Sequence, residues 1–258
     1  MNFTVTVLGC GPSGGVPLVG CACAVCTSAD SRNQRTRPSV LVEKDGERLL
    51  VDTAPDLRQQ ALRHGFSKVD AILFTHAHAD HCHGLDDARS FNFHTGKPVS
   101  IYGTQVTLSE IQERFAYAFG APATSGVWYR PALQPHVIQE YDRFTAGTIP
   151  VTSFLQYHGN GKTSGYRIGN FAYSTDVDNL PAQSLQLLEK LDVWLVDCLQ
   201  YEPSPTHSHL ARTLEWIEKL KPNRAILTHM AHAIDYHELK ARLPVHVEPA
   251  YDGMEIQL

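Results

Sequence analysis

Ala71-Ile72-Leu73-Phe74-Thr75-His76-Ala77-His78-Ala79-Asp80-His81 decides how this chain is read. Residues 71–75 have the composition of a short buried β-strand. The next six residues hold three imidazoles and a carboxylate, too many polar groups to satisfy cheaply in a core. Gathering them at one strand end points to a metal cluster. If the chain leaves the strand extended, His76 and His78 share a face. Asp80 and His81 then begin the next turn and reach a second ion. Two metals ~4 Å apart can serve both sides of a hydrolytic displacement. The competing reading is a polar loop whose histidines are incidental.

Further strand-like segments lie at 3–8, 39–43, 48–52, 98–102, 149–155, 164–168, 171–174, 193–197 and 225–228. Apolar residues at helical spacing mark helices at 54–64, 106–119, 180–190, 207–220 and 235–242. Lys44-Asp45-Gly46-Glu47 reads as a hairpin turn. A strand meander followed by helices, then the same again, predicts an α/β fold: a four-layer αβ/βα sandwich, in one domain over 1–258. Residues 119–148 read as an irregular insertion.

Three lone polar residues end predicted strands: His158, Asp176 and His229. Singly, each reads as a turn residue. Together, and beside the six-residue motif, they read as the remaining ligands. Imidazoles and carboxylates suit Zn²⁺, Mn²⁺ or Fe²⁺.

This set, Thr75-His76-Ala77-His78-Ala79-Asp80-His81 with His158, Asp176 and His229, resembles the metallo-β-lactamase superfamily over most of the chain. The resemblance implies a metallo-β-lactamase fold with two divalent ions, zinc or manganese. It implies that His76, His78 and His158 bind the first. Asp80, His81 and His229 bind the second, and Asp176 bridges them. Asp52, in a segment that lies near the metals in this superfamily, can orient a ligating imidazole. Asp56 is a second such candidate.

There are six cysteines, and three are packed into Cys21-Ala22-Cys23-Ala24-Val25-Cys26. Structural zinc wants four ligands in tetrahedral array. His232, three residues after His229, can supply the fourth. A Cys23–Cys26 redox pair lacks a thioredoxin-like βαβ context. Simple burial is the other alternative. Cys10 and Cys198 read as core residues, and Cys82 as a neighbour of the site without a ligand role.

This Cys cluster plus a late His resembles the PhnP family, the phosphoribosyl cyclic phosphodiesterases associated with carbon–phosphorus lyase. Gly9-Cys10-Gly11, Gly14-Gly15-Val16-Pro17, Leu227-Thr228-His229 and Asp252-Gly253-Met254-Glu255-Ile256 match as well. The resemblance implies attack on a small phosphodiester by a metal-activated hydroxide, one structural zinc on Cys21, Cys23, Cys26 and His232, and a homodimer. It also implies that His207 is the general acid, with His209 the weaker candidate. Asp80 is an alternative proton carrier. Arg35, Arg37 and Lys162 are candidate contacts for a substrate phosphate. Asp86-Asp87-Ala88-Arg89-Ser90-Phe91-Asn92 departs from the PhnP pattern and is expected to alter the pocket wall, which leaves the substrate open.

The formal net charge of −5 argues against non-specific binding to nucleic acid or anionic membrane. No apolar run reaches membrane-spanning length, and the first eight residues alternate like a strand rather than a signal peptide. A cytoplasmic location follows as the expectation. Gly9-Cys10-Gly11-Pro12-Ser13-Gly14 satisfies a dinucleotide fingerprint, but no helix pattern opens there. Three other functions compete: a tRNA 3′-processing nuclease, which needs a positive face and an RNA-binding arm; a thioester or lactam hydrolase; and a non-hydrolytic accessory protein of cofactor biosynthesis.

Overall fold

A computed structural model describes residues 3–120 and 130–258. Its strands are β1 (Thr4–Gly9), β2 (Ser39–Lys44), β3 (Glu47–Val51), β4 (Ala71–Leu73), β5 (Val99–Thr104), β6 (Leu133–Ile138), β7 (Arg143–Ala146), β8 (Ile149–His158), β9 (Gly161–Ile168), β10 (Phe171–Ser174), β11 (Val193–Asp197), β12 (Arg224–Thr228), β13 (Val247–Pro249) and β14 (Met254–Gln257). The helices are α1 (Leu57–His64), α2 (Ala79–Cys82), α3 (Arg89–Thr95), α4 (Gln105–Arg114), α5 (Ala182–Leu187), α6 (Leu210–Leu220) and α7 (Tyr236–Arg242).

Among the described residues the strands form two seven-stranded sheets, ordered β14-β1-β2-β3-β4-β5-β6 and β13-β12-β11-β10-β9-β8-β7. Each combines an antiparallel meander with parallel strands linked by helical crossovers: β3 to β6 in the first sheet, β10 to β13 in the second. Strand alternation sets the layers. Val5, Val7, Val40 and Val42 join Phe154, Tyr166 and Tyr173 in one apolar cluster that draws on both sheets. Leu8, Leu41, Leu50 and Ile72 turn to the other face, onto Leu57, Phe91, Leu108 and Ile111 of the helices there. On α6, Thr213, Ile217 and Leu220 are the buried positions, one stripe at helical spacing. The result is the expected four-layer α/β sandwich.

The hairpin between β2 and β3 turns on Asp45 and Gly46, at φ 51° and 84°, as a turn with two left-handed central residues requires. Of residues 119–148, residues 121–129 lie outside the described residues. Within the remainder, Leu133–Ile138 and Arg143–Ala146 form β6 and β7, outer strands of the two sheets. β6 and β13 carry Pro135 and Pro249, which weaken a strand signal and are tolerated at a sheet edge. The helix expected over 106–119 stops at Arg114 and continues as a short 3-10 turn.

Candidate metal centre

The site is built at strand ends. Asp52 follows β3, the Thr75–His81 segment follows β4, Asp176 follows β10, Asp197 ends β11 and His229 follows β12. Asp52, Asp176 and His229 adopt φ of 64°, 50° and 59°. This left-handed backbone is uncommon outside glycine and is least costly for Asp, Asn and His. Strain of this kind concentrates at functional sites.

Asp176 is the hub. Its Oδ2 lies 3.6 Å from His76 Nε2, 3.6 Å from His158 Nε2 and 3.9 Å from His207 Nε2. Its Oδ1 lies 3.1 Å from His81 Nε2 and 3.4 Å from His229 Nδ1. Asp80 Oδ2 is 3.4 Å from His81 Nε2. Candidate donor atoms of His76, His78, His158 and Asp176 all lie within 4.8 Å of one another, as do those of Asp80, His81 and His229. The sequence expectation therefore divides in space as two adjoining groups. His78 is exposed at the rim, while His76, Asp80, His81, Asp176 and His229 are buried.

These contacts fit a bound cation better than hydrogen bonds. His76 Nε2 and His81 Nε2 are buried without a hydrogen-bond partner, a costly state unless something else satisfies them. Donors ~2.1 Å from one tetrahedral ion stand about 3.4 Å apart, close to the separations found. The donor set, imidazole plus carboxylate, suits zinc or manganese.

The far sides of the rings are held. His81 Nδ1 donates to Asp52 Oδ2 at 2.7 Å, and Asp52 also accepts from the Thr75 amide and hydroxyl at 2.8 Å each. His158 Nδ1 donates to the Thr206 carbonyl at 2.6 Å. Each bond leaves Nε2 for the cleft, the arrangement by which a second partner fixes a ligating tautomer. Burial, then the neighbouring His81, pushes the His76 pKa well below the usual imidazole value, so that ring is neutral. Burial likewise lowers His158. For Asp80, burial opposes the charge, but the His81 hydrogen bond and charge outweigh it and hold the carboxyl well below its usual range. Asp80 is thus a carboxylate, a poor proton carrier.

His207 lies in the loop before α6. Its Nδ1 stands 3.1 Å from Asp197 Oδ2, and its ring stacks on His229 with centroids 4.9 Å apart. Burial opposes its charge, yet the Asp197 hydrogen bond and the Asp197 and Asp176 charges prevail and raise it to about 9. Sequence reading missed Asp197. Its signal was present: it is a polar residue closing an apolar strand, as with Asp176 and His229.

The cysteine cluster lies apart. Cys21 Sγ and Cys23 Sγ are 3.6 and 3.5 Å from His232 Nδ1, and the four donor atoms, Cys26 included, lie within 4.8 Å of one another. Zinc–sulfur and zinc–nitrogen bonds at tetrahedral angles put such atoms about 3.6 Å apart. The Cys26 amide and then His232 lower Cys23 to about 6, which favours thiolate.

Other expectations are redistributed. Arg35 is buried and donates to the carbonyls of Met230, Ala231 and Ile234, so it is a structural tie rather than a phosphate contact. Arg37 pairs with Asp56 at 3.0 Å, and neither residue is bonded to the candidate ligands. Lys162 pairs with Glu140 at 2.7 Å. His209 borders a small cavity beside His207 that also meets Arg212. Cys10 and Cys198 are buried in the core, and Cys82 Sγ donates to the Ala77 carbonyl. The divergent stretch does not line the main cavity: Asp86 accepts from the Tyr117 hydroxyl, and Asn92 binds backbone at Lys97 and Ala132. No helix follows the Gly9–Gly14 loop. A Cβ on Gly9 would sit 2.1 Å from the Arg37 carbonyl, so close backbone approach accounts for that glycine.

A cavity of about 770 Å³ opens beside the His76, His78 and His158 rings. Its other walls come from the β6–β7 turn, the β8–β9 hairpin and the start of α4. No described helix is long and apolar enough to cross a membrane.

Comparison with known proteins places this geometry. A family model described as the beta-lactamase superfamily domain matches residues 47–230. Over 252 residues the chain is 34% identical to a Porphyromonas gingivalis protein named octanoyltransferase, covering 96% of this chain and 50% of that protein. It is 36% identical over 125 residues to coenzyme PQQ synthesis protein B of Methylorubrum extorquens, covering 42% of this chain and 40% of that one. The chain thus spans half or less of these curated relatives. The crystal structure of a diphosphatase from the PhnP family superposes with a TM-score of 0.93 at 38% identity, covering 100% of this chain and 98% of that one.

Proposed function

The chain belongs to the beta-lactamase superfamily, in its PhnP family, and from that footing we propose that this metal-dependent hydrolase cleaves small phosphodiesters, cyclic phosphoribosyl-type esters included, at a binuclear centre. In this reading His76, His78, His158 and Asp176 hold one cation, and Asp80, His81, His229 and Asp176 the other. Cys21, Cys23, Cys26 and His232 hold a structural zinc. The observation that carries the reading is the convergence of four imidazole Nε2 atoms on Asp176, two of them buried without any hydrogen-bond partner.

Bound there, two divalent cations supply charge for the phosphoryl oxygens in the transition state and activate the attacking water. The chain supplies the rest. Asp52 and the Thr206 carbonyl hold His81 and His158 with Nε2 facing the cleft. His207 keeps a proton at neutral pH, oriented by Asp197, and delivers it from Nε2 to the departing oxygen. Negative formal charge and a cavity of only about 770 Å³ support a small substrate over a tRNA. A cytoplasmic setting, where thiols stay reduced, and a homodimer belong to the same proposal.

The relative named octanoyltransferase raises acyl transfer chemistry as a second reading. One screen separates the two: metal-analysed protein assayed against cyclic phosphates, linear phosphodiesters, lactams and an octanoyl thioester. Turnover of diesters that vanishes in His76→Ala supports the proposal. Turnover of the thioester alone overturns it.

A further inference from the structure

The cavity beside the candidate centre has a character of its own, and one strained residue stands in its wall. Tyr141 adopts φ 68°. It occupies the third position of the turn Gln139-Glu140-Tyr141-Asp142, closed by the Asp142 amide on the Gln139 carbonyl at 3.4 Å. Glycine is the usual residue where a turn needs positive φ at that position. A bulky aromatic there is an outlier that calls for a compensating role.

The turn is rigidly placed. The Gln139 amide donates to Asp142 Oδ2, and the Asp142 amide and carbonyl bond to Ser153 of β8. The Tyr141 hydroxyl donates to Ser184 Oγ at 3.3 Å, since Ser184 gives its own proton to the Leu155 carbonyl. With both ends held, the half-buried ring is a fixed part of the cavity wall, beside Ile138 and Leu155.

The charges of the cavity say what it does not take. Away from the histidines, Lys162 is its one lining cation among the described residues, and it is paired with Glu140. Its other acid, Glu110, pairs with Arg114 at 3.0 Å. Among the described residues no unpaired cation is left there for a second phosphate. The side-chain amides of Gln105 and Gln139 border the same space, and amides hydrogen-bond to the edges of heterocycles. A volume of about 770 Å³ suits one small organic group rather than an oligomer.

We propose that this cavity takes the uncharged organic arm of the substrate, a flat nitrogen heterocycle such as the base of a nucleoside, packed against Tyr141 as the specificity-determining residue. This rests on the phosphodiester reading above, with the phosphoryl group at the histidine cluster and the arm extending past His78 and His158.

The test uses two diesters with the same p-nitrophenolate leaving group: thymidine 5′-(p-nitrophenyl phosphate) and methyl p-nitrophenyl phosphate. The metal-loaded protein should prefer the thymidine ester by about tenfold in kcat/KM, the gain from one stacked base, and the preference should lie in KM. Tyr141→Phe should keep it. Tyr141→Gly, which suits the backbone, and Tyr141→Leu, which keeps apolar volume, should both lose most of it. Calorimetry gives a readout free of turnover: thymidine 5′-monophosphate should bind about tenfold more tightly than inorganic phosphate, with the margin lost in the Gly and Leu variants. Equal use of both esters, or variants that slow both esters alike, overturns the inference. If neither ester is cleaved, the phosphodiester reading fails, and the calorimetric margin decides the cavity's role by its presence or absence.

Discussion

Asp197 Oδ2 lies 3.1 Å from His207 Nδ1 and also accepts the Val177 amide at 3.1 Å. One buried carboxylate thereby ties the end of β11 to the residue after Asp176 and sets the charge of the imidazole above them. Removing that charge in Asp197→Asn should let the His207 pKa fall from about 9 toward the ordinary value of about 6.5. In the proposed mechanism the acid form is the active one, so activity should be lost as pH rises through the His207 pKa. At pH 8 the protonated fraction would drop about 30-fold. The check is the alkaline limb of the kcat/KM profile, which should move to lower pH. An unmoved limb would show that His207 is not the proton donor.

Asp52 accepts three hydrogen bonds, from the Thr75 amide, the Thr75 hydroxyl and His81 Nδ1. Asp52→Ala leaves buried donors unpaired, at a cost of about 1–3 kcal/mol each. Losing the residue that orients the candidate ligand His81 should also weaken metal binding about 10–100-fold. Melting temperature and metal titration report the two effects separately.

The two candidate metal sites should be separable. His76→Ala removes a donor from the Asp176 group but touches none of the cysteines. Elemental analysis should show loss of exchangeable metal with one zinc retained per chain, and activity should fall by about 10³-fold or more. Cys23→Ser should do the reverse: the retained zinc is lost and the melting temperature falls. Equal loss of all metal in both variants would refute two independent sites.

Gly84 carries a packing constraint beside the metal segment. A Cβ there would stand 2.0 Å from the Ala54 carbonyl oxygen. Its amide donates to the Thr53 carbonyl, and the Thr53 amide donates to the His81 carbonyl. Gly84→Ala should therefore displace the turn that carries His81. A destabilisation of about 1–3 kcal/mol is expected, read by chemical denaturation, with weaker metal retention in the folded fraction.

Much of the fold was legible because its central strands are plain apolar runs. β1, β2, β10, β11 and β12 were expected within a residue or so of where they lie. The outer strands β6 and β13 were not, because each contains a proline that edge positions tolerate. The helix α2 was missed because four residues are too few to display a period. In the site, His76 to His81 announced themselves by crowding. The Thr206 carbonyl and Tyr141 did not, since nothing nearby in the chain distinguishes them, and Asp197 was passed over although it closes an apolar strand as Asp176 and His229 do.

By itself the sequence determined which residue types stand at strand ends, because periodicity and residue chemistry are local properties. Tertiary structure alone decided which of them meet. It took Arg35 away from any substrate and gave it to backbone carbonyls 195 to 199 positions later in the chain. It set Asp52 against His81 and Asp197 against His207, and it left His76 and His81 with nitrogens that no protein group satisfies. The reason is that partnership between distant residues is fixed only when two sheets pack and their strand ends converge, and no local pattern records where that convergence falls.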